Sequence, residues 1–449
     1  MRVLQVAPTD RGGGAEGVAL LLHAAFRERG IDAWLGVGRQ RTVRAGVREI
    51  PREGLAGRLS LSLERRGALR LGRLARALAE PGTLLDLARG HEDFRFPGLD
   101  GLVARLPGEP DLVHLHNLHG GYFDLRVLSD LTRRYPVVAT LHDAWTMTGH
   151  CAQPFDCDGW LRGCGRCPYL RTYPGLRRDG TAFNLERKRD LYLRSSLVVV
   201  TPSAWLQRMV ERSVLSPAVA RGEIIPNGID LDVFRPGDRR AARLRLGLDE
   251  DTPTLLFAAQ GGRANEFKDY PTLRTAIGIL AAGRTSRLEL VVLGEGPAEI
   301  ERLGPVAIRA LPAADSSEVA AWLQAADAYV HPSRADTFPL GILEALACGR
   351  PVVASRVGGI PEQLRPLGAS DRPSGVLVEP SDAPALAAAI GRLLDDPALR
   401  TALGRQAAED ARERFGAGAM VDAYLRLYRD VLAQDCGPGQ LPPRPSSHG

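Results

Sequence analysis

At 449 residues, with 44% apolar and 25% charged side chains, the chain reads as an ordinary soluble globular protein, too long for one compact core. No apolar run approaches the about 20 residues of a membrane span, and the opening Met1-Arg-Val-Leu-Gln-Val-Ala-Pro is a strand pattern rather than a signal peptide, which points to the cytoplasm. The net charge of +5 is mostly arginine with few aromatics nearby, which argues against nucleic acid, and six cysteines are too few for a disulfide scaffold.

Arg2 to Ala7 alternates as a strand and leads into a loop, Thr9-Asp-Arg-Gly-Gly-Gly-Ala-Glu16. A helical pattern follows through Val18, Leu21, Leu22, Ala25 and Phe26 to Gly30. Strand, glycine loop and helix open a doubly wound α/β domain, and Gly13 and Gly14 would let the backbone approach a ligand at the helix start. The loop lacks the spacing of a dinucleotide fingerprint, so a plain tight turn is an equal reading. From 51 to 98 the rhythm breaks: Arg58, Arg65, Arg66, Arg70, Arg73 and Arg76 are interleaved with leucines. Such a segment can lie on an anionic membrane surface, but its imperfect stripe favours a surface helix packed on its own domain.

Asp111 to His116 and Pro136 to Leu141 are buried strands, the second ending at His142-Asp143. Ligands of open α/β sheets bind at that carboxyl edge, although a lone histidine there is more often a satisfied loop residue. The loop from Gly149 to Pro168 then holds Cys151, Cys157, Cys164 and Cys167, ending in C-x-x-C. Four thiols so close suggest a tetrahedral structural zinc, with four reduced thiols as the competing reading. Asp156-Cys-Asp158 lies inside this loop and is not read as a catalytic metal site.

Ser196 to Trp205 closes the first domain, expected to span 1–218, and Glu223 to Pro236 crosses into a second, 219–415, through the Asn227-Gly228 turn. The second opens with a strand from Thr254 and a glycine-bearing loop where Arg263 and Lys268 could cradle a diphosphate leaving group. Leu288 to Pro297 is a strand running into a turn at Gly294; Val306 to Leu311 is a further strand, and Ser317 to Ala326 a helix.

The most informative stretch runs from Tyr329 to Ser355: a strand to His331, a break at Pro332-Ser333, a short helix from Pro339 that Gly349 ends, and a strand from Val352. Free N–H groups at Leu340 and Gly341 suit a diphosphate. Glu344 sits among Leu343, Ala345, Leu346 and Ala347, where it needs a partner such as ribose hydroxyls, and Asp336 could accept from sugar hydroxyls. Gly375 to Val378 is the last strand, with Ser381 or Asp382 capping the next helix. Met420, Val421, Tyr424, Leu427, Tyr428 and Val431 form one helical stripe in a terminal helix, 416–434, and 435–449 reads as a disordered tail.

The stretch around Asp336 and Glu344 resembles the donor-site signature of GT-B retaining glycosyltransferases of family 4, an E-x7-E motif followed by E-A-x-A-C-G-x-P-V-V-A. It departs at the first acid, Asp336 rather than Glu, and keeps the spacing to Glu344. The resemblance extends to G-G-A-E after the first strand, the His142 element, P-N-G-I-D from Pro226, and the pair Arg263 and Lys268, where Asp269 replaces the family's glycine. It also takes in the glycine turn at Gly294. H-D-x-W-x-x-T-G-H-C followed by further cysteines resembles a subset from polysaccharide clusters.

The resemblance implies an α/β GT-B fold, two Rossmann-like domains facing an interdomain cleft, with acceptor recognition from the first and donor binding from the second. The terminal helix would pack back toward the first domain. The implied reaction is glycosyl transfer from a nucleoside diphosphate sugar, with retention, to a glycan, lipid-linked or small-molecule acceptor. Arg263 and Lys268 would neutralise the diphosphate without a metal cofactor. Asp336 and His142 would hold the donor sugar, and Gly13, Gly14, Gly294, Leu340, Gly341 and Glu344 would line the substrate. The competing readings are a non-catalytic nucleotide-sugar-binding scaffold and a GT-B epimerase. Peripheral contact with the inner membrane face is a subsidiary expectation.

Overall fold

The structure is a computed structural model that describes residues 1–51, 81–94, 96 and 98–434, besides the isolated positions 62, 63, 68 and 71. The Arg- and Leu-rich segment from 58 to 78 (those positions apart) and the expected tail 435–449 lie outside the described residues. The chain forms two compact units: one of residues 1–202, 206–225 and the chain from Ala423, the other of 203–205 and 226–422.

Among the described residues the first unit holds a seven-stranded sheet in the order β3-β2-β1-β4-β5-β6-β7. The strands are β1 (Arg2–Thr9), β2 (Asp32–Arg39), β3 (Val47–Glu49), β4 (Leu112–His116), β5 (Val137–Thr140), β6 (Leu197–Thr201) and β7 (Val219–Ile224), and every pairing is parallel. Central strands covered on both faces have no solvent-facing side, and β4 and β5 are accordingly buried at every residue, His114 and His116 included. The order reverses between β1 and β4, the place where doubly wound sheets open a ligand crevice. Helix Gly14–Glu28 follows β1 and seats Val18, Ala19, Leu22 and Phe26 in the core.

The expected boundary after 218 is corrected here, because Val219–Ile224 is the last strand of the first sheet, paired with β6. Its alternating, half-exposed V-A-R-G-E-I carries no apolar run, so only the edge of β6 reveals it.

A buried cation fixes the loop after β5. Lys188, on helix Thr181–Tyr192, is fully buried, pairs with Glu92 at 2.9 Å and donates to the carbonyls of Trp145 (2.9 Å) and Thr148 (3.0 Å). Its ammonium stands 3.6 Å over the Trp145 ring. A charge so desolvated is tolerable only with this set of partners, so the segment leading to His150 and Cys151 is rigidly placed.

The second unit repeats the plan among its described residues, in the order β10-β11-β9-β8-β12-β13-β14. Its strands are β8 (Thr254–Ala258), β9 (Leu288–Glu295), β10 (Glu299–Leu303), β11 (Val306–Pro312), β12 (Ala328–His331), β13 (Val352–Ser355) and β14 (Gly375–Val378). β10 runs antiparallel to β11 and was not expected, since E-I-E-R-L carries three charges in five residues and borders the sheet. Alternation sorts the core by face: Leu256, Val291, Tyr329 and Val352 join one apolar cluster, Leu255, Leu290, Val330 and Val353 the other. The order reverses between β8 and β12.

Helix Leu340–Ala347 follows β12, with Pro339 at the capping position rather than inside the first turn. Gly349 closes it with φ +70, a left-handed conformation that glycine adopts without strain. Asp382, rather than Ser381, caps the helix after β14. Helix Ala417–Gln434 runs through the chain position where the units divide. Met420 Sδ meets the Gly228 amide in the second unit, while Tyr424 and Tyr428 bond Thr140 and His114 in the first.

Candidate active site

In the second unit the expected donor residues gather at the switch point. Lys268 lies in the loop after β8, and Asp336 in the loop after β12; the Lys268 ammonium pairs directly with the Asp336 carboxylate. His331, the last residue of β12, joins them with Nε2 at 3.2 Å from Asp336 and 3.3 Å from Lys268 Nζ. Tyr329 OH meets its Nδ1 at 3.2 Å. Burial alone would raise the Asp336 carboxyl, but the charge of Lys268 and the His331 hydrogen bond outweigh it and hold it at about 2. Burial, then the neighbouring Lys268 charge, lowers His331 to about 4, so the ring is neutral. In the sequence His331 reads only as a strand end. Its place five residues before Asp336, across a Pro-Ser break, was the available signal.

Arg263 is held between two carboxylates rather than left to solvent. Its Nε donates to Glu295 at 2.7 Å and its Nη2 to Glu299 at 2.6 Å, while its own amide meets Glu295 at 3.1 Å. Gly294 makes this possible: at φ +101, a Cβ there would lie 1.9 Å from the Ala259 carbonyl oxygen. Asp269, which stands for the family's glycine before helix Tyr270–Gly283, also keeps a left-handed backbone, φ 44. Aspartate tolerates that region better than most residues, and its carboxylate accepts from Thr272 and Ser381, each at 2.9 Å.

Glu344 is half-buried on helix Leu340–Ala347, and among the described residues its carboxylate has no hydrogen-bond or cationic partner. Burial alone pushes it up to about 7. Gly341 has a structural duty of its own, since a Cβ there would come within 2.5 Å of the Tyr329 hydroxyl. Leu340 packs against the second unit's core.

The first unit concentrates histidines at the carboxyl ends of β4 and β5. His116 Nδ1 and His142 Nε2 are 3.1 Å apart, and His116 Nε2 is 3.2 Å from Gln5 Oε1. Burial depresses both rings, His142 to about 4. A second pair was missed by sequence reasoning: His119 Nε2 lies 2.6 Å from Asp143 Oδ2, whose other oxygen accepts the Trp145 amide at 2.9 Å. Burial would lower His119, but Asp143 more than offsets it and raises the ring, while His119 in turn lowers the Asp143 carboxyl, so each favours the charged form of the other. Gly13 caps helix Gly14–Glu28 with an ordinary φ of −64; the left-handed glycine of that loop is Gly12, φ +144.

Cys151, Cys157, Cys164 and Cys167 are all free thiols, Cys151 buried and the others half-buried. Among the described residues no three His, Cys, Asp or Glu side chains stand close enough together to hold a metal ion as they are.

Comparison with known proteins gives these sites a context. A model described as Glycosyltransferase Family 4 matches residues 12–233, and one described as Glycosyl transferases group 1 matches residues 252–396. D-inositol 3-phosphate glycosyltransferase 1 of Catenulispora acidiphila is 32% identical over 345 residues, 74% of this chain and 74% of that protein. A D-inositol 3-phosphate glycosyltransferase of Acidothermus cellulolyticus is 38% identical over 230 residues, 48% of this chain and 49% of the relative. Among solved structures, sucrose-phosphate synthase from Thermosynechococcus elongatus superposes with a TM-score of 0.63 at 22% identity, covering 97% of this chain and 100% of that one. Anabaena HepE in complex with UDP-glucose also gives 0.63, at 18% identity over 96% of this chain and 100% of its own. At those identities the structural likeness speaks for the fold, an α/β GT-B architecture of two Rossmann-like units. The chain belongs to the group 1, family 4 glycosyltransferases and is an enzyme of glycosyl transfer.

Proposed function

We propose that the second unit binds a nucleoside diphosphate sugar and that the enzyme transfers its glycosyl unit with retention at the anomeric carbon. The observation that carries this reading is the cluster of Lys268, Asp336 and His331 at the β8–β12 switch point, together with the uncompensated Glu344. Glu344 is a strong acceptor lacking a donor, a role that ribose hydroxyls fill. The N–H groups at Leu340 and Gly341 and the cations Lys268 and Arg263 suit the diphosphate. As the glycosidic bond loosens, charge grows on the phosphate oxygens, so fixed cations favour the transition state over the ground state. The bonds to Glu295 and Glu299 engage Nε and Nη2 of Arg263 and hold the guanidinium in place. In this mechanism these cations do the work a metal would do.

Asp336 and His142 hold the donor sugar, and the leaving phosphate takes the acceptor's proton. Gly13, Gly14 and the histidine-rich edge of the first unit serve the acceptor, a glycan, lipid-linked or small molecule in polysaccharide, glycolipid or natural-product assembly. The relatives named for D-inositol 3-phosphate support a polyhydroxylated acceptor of small size. The reaction belongs in the cytoplasm, and the exposed Leu84, Leu85 and Leu87 support peripheral contact with the membrane's inner face. Among the described residues no helix is long and apolar enough to cross a membrane. A thermal-shift screen of nucleoside diphosphates and their sugars tests the donor reading. One base and sugar should raise Tm well above the rest, and a protein that responds to none of them refutes it.

A further inference from the structure

Alternate residues of a strand share a face, so β4 turns His114 and His116 to one side. In the register His116 lies beside Thr140 of β5, two residues before His142. Gln5 of the neighbouring β1 joins them, and His114, His116 and Gln5 are all fully buried. Polar groups so placed must find their hydrogen-bond partners within the protein.

Both ring nitrogens of His114 are taken. Its Nε2 lies 2.7 Å from Thr140 Oγ1, and its Nδ1 lies 2.5 Å from the Tyr428 hydroxyl. His116 points elsewhere, with Nε2 at 3.2 Å from Gln5 Oε1 and Nδ1 at 3.1 Å from His142 Nε2. The His116 and His142 rings are inclined by only 20° with centroids 5.4 Å apart. They therefore meet edge to edge, and an N–H of one can address the lone pair of the other. The Tyr122 hydroxyl meets the carbonyls of His116 (3.1 Å) and Asn117 (2.8 Å), which fixes the backbone that carries the His116 ring.

These contacts leave one arrangement of protons. Burial keeps both rings neutral; Asp143 favours a charge on His142 but does not overcome it. A neutral imidazole carries one N–H and one lone pair. Gln5 Oε1 can only accept, so the His116 proton sits on Nε2 and its Nδ1 is a lone pair. The contact between the two rings still needs a proton, and it comes from His142 Nε2. His142 is left unprotonated at Nδ1.

We infer that Gln5 and His116 are positioning residues for His142, holding it as the Nε2–H tautomer so that at Nδ1 the ring can only accept a hydrogen bond. A sugar hydroxyl that meets Nδ1 must then donate, which gives that hydroxyl one direction. Burial also makes the ring too weak a base to keep the proton, so His142 orients the hydroxyl without proton transfer. These consequences rest on the reading that His142 holds the donor sugar; the tautomer itself does not.

The test is long-range proton–nitrogen correlation spectroscopy of the imidazoles in the isotope-labelled full chain, with His142→Asn and His116→Asn assigning the signals. Near neutral pH both His116 and His142 should be protonated at Nε2 alone. His116→Asn, whose side-chain oxygen can accept from His142 in place of Nδ1, should keep the His142 tautomer. His116→Leu offers no acceptor and should release His142 to a mixture of tautomers. The nucleoside diphosphate sugar that raises Tm most serves as donor probe, with release of the nucleoside diphosphate as the readout. His116→Leu should then lower kcat/KM at least about tenfold, and His116→Asn should restore most of it, a contrast that a merely structural role would not produce. His142 protonated at Nδ1, the state a reversed Gln5 amide would impose, overturns the assignment, and so does a His142 tautomer unchanged in His116→Leu. Should a variant fail to fold, the wild-type spectrum decides alone, since a proton on Nδ1 of either ring is incompatible with this chain of contacts. If the tautomer is as assigned but His142→Asn turns over as fast as wild type, the positioning stands and the sugar-holding reading fails. An inactive His142→Asn with the other tautomer in the wild type fails the positioning alone.

Discussion

Glu344→Gln tests the donor site because it should raise stability while it lowers binding. Burial alone moves this carboxyl from 4.5 to about 7. A raised acid leaves the fold untaxed below 4.5, and stability is lost as pH rises through about 7, where the folded protein must also ionise it. Moving from 4.5 to about 7 corresponds to roughly 3 kcal/mol above that pH. Glutamine has no such charge, so the variant should exceed the parent by less than about 1 kcal/mol near pH 5 and by about 2–3 kcal/mol near pH 8.5, a Tm rise of several degrees. Over the same range its affinity for the cognate nucleoside diphosphate should fall at least about tenfold, because a ribose hydroxyl meets a weaker acceptor. Differential scanning calorimetry from about pH 5 to 9 and isothermal titration read the two effects separately. A variant no more stable than the parent at high pH would refute the uncompensated charge. Unchanged affinity would remove Glu344 from the nucleotide site.

Lys268→Ala should lower kcat/KM roughly 100-fold or more. It should also destabilise the second unit by about 1–3 kcal/mol by orphaning Asp336, a loss that Asp336→Asn in the same chain should largely restore under urea. His331 titrates near 4 when folded against 6.5 unfolded, so its neutral burial contributes stability that is lost as pH falls from 6.5 to 4. His331→Asn should flatten part of that acid limb, and an unchanged pH profile of Tm would contradict the assignment. Gly294→Ala sets a methyl 1.9 Å from the Ala259 carbonyl in a left-handed conformation, and should cost more than about 3 kcal/mol in urea unfolding while loosening Glu295 from Arg263.

Much of this protein is determined by local pattern. Runs such as Val352–Ser355 have no polar face, so they can only be central strands of covered sheets. Gly349 and Pro351 end the helix before β13 by backbone chemistry alone. The spacing of Asp336 and Glu344 and of Arg263 and Lys268 carried the resemblance to the family's signature, because such a motif is a set of residues at fixed intervals along one loop or helix.

Other features depend on groups distant in sequence, and only the tertiary structure decided them. β7 is a strand because β6 offers it an open edge, not because V-A-R-G-E-I prefers one. Arg263 is held by Glu295 and Glu299, some thirty residues on, because Gly294 lets β9 approach its loop. His331 joins Lys268 and Asp336, and His119 joins Asp143, where strand ends converge at a sheet edge. Lys188, an unremarkable helix residue in the sequence, becomes a buried cation because Glu92 and two carbonyls meet it there. Burial and charge pairing are properties of a place in the fold, so the protonation states on which this chemistry rests could be assigned only once that place was known.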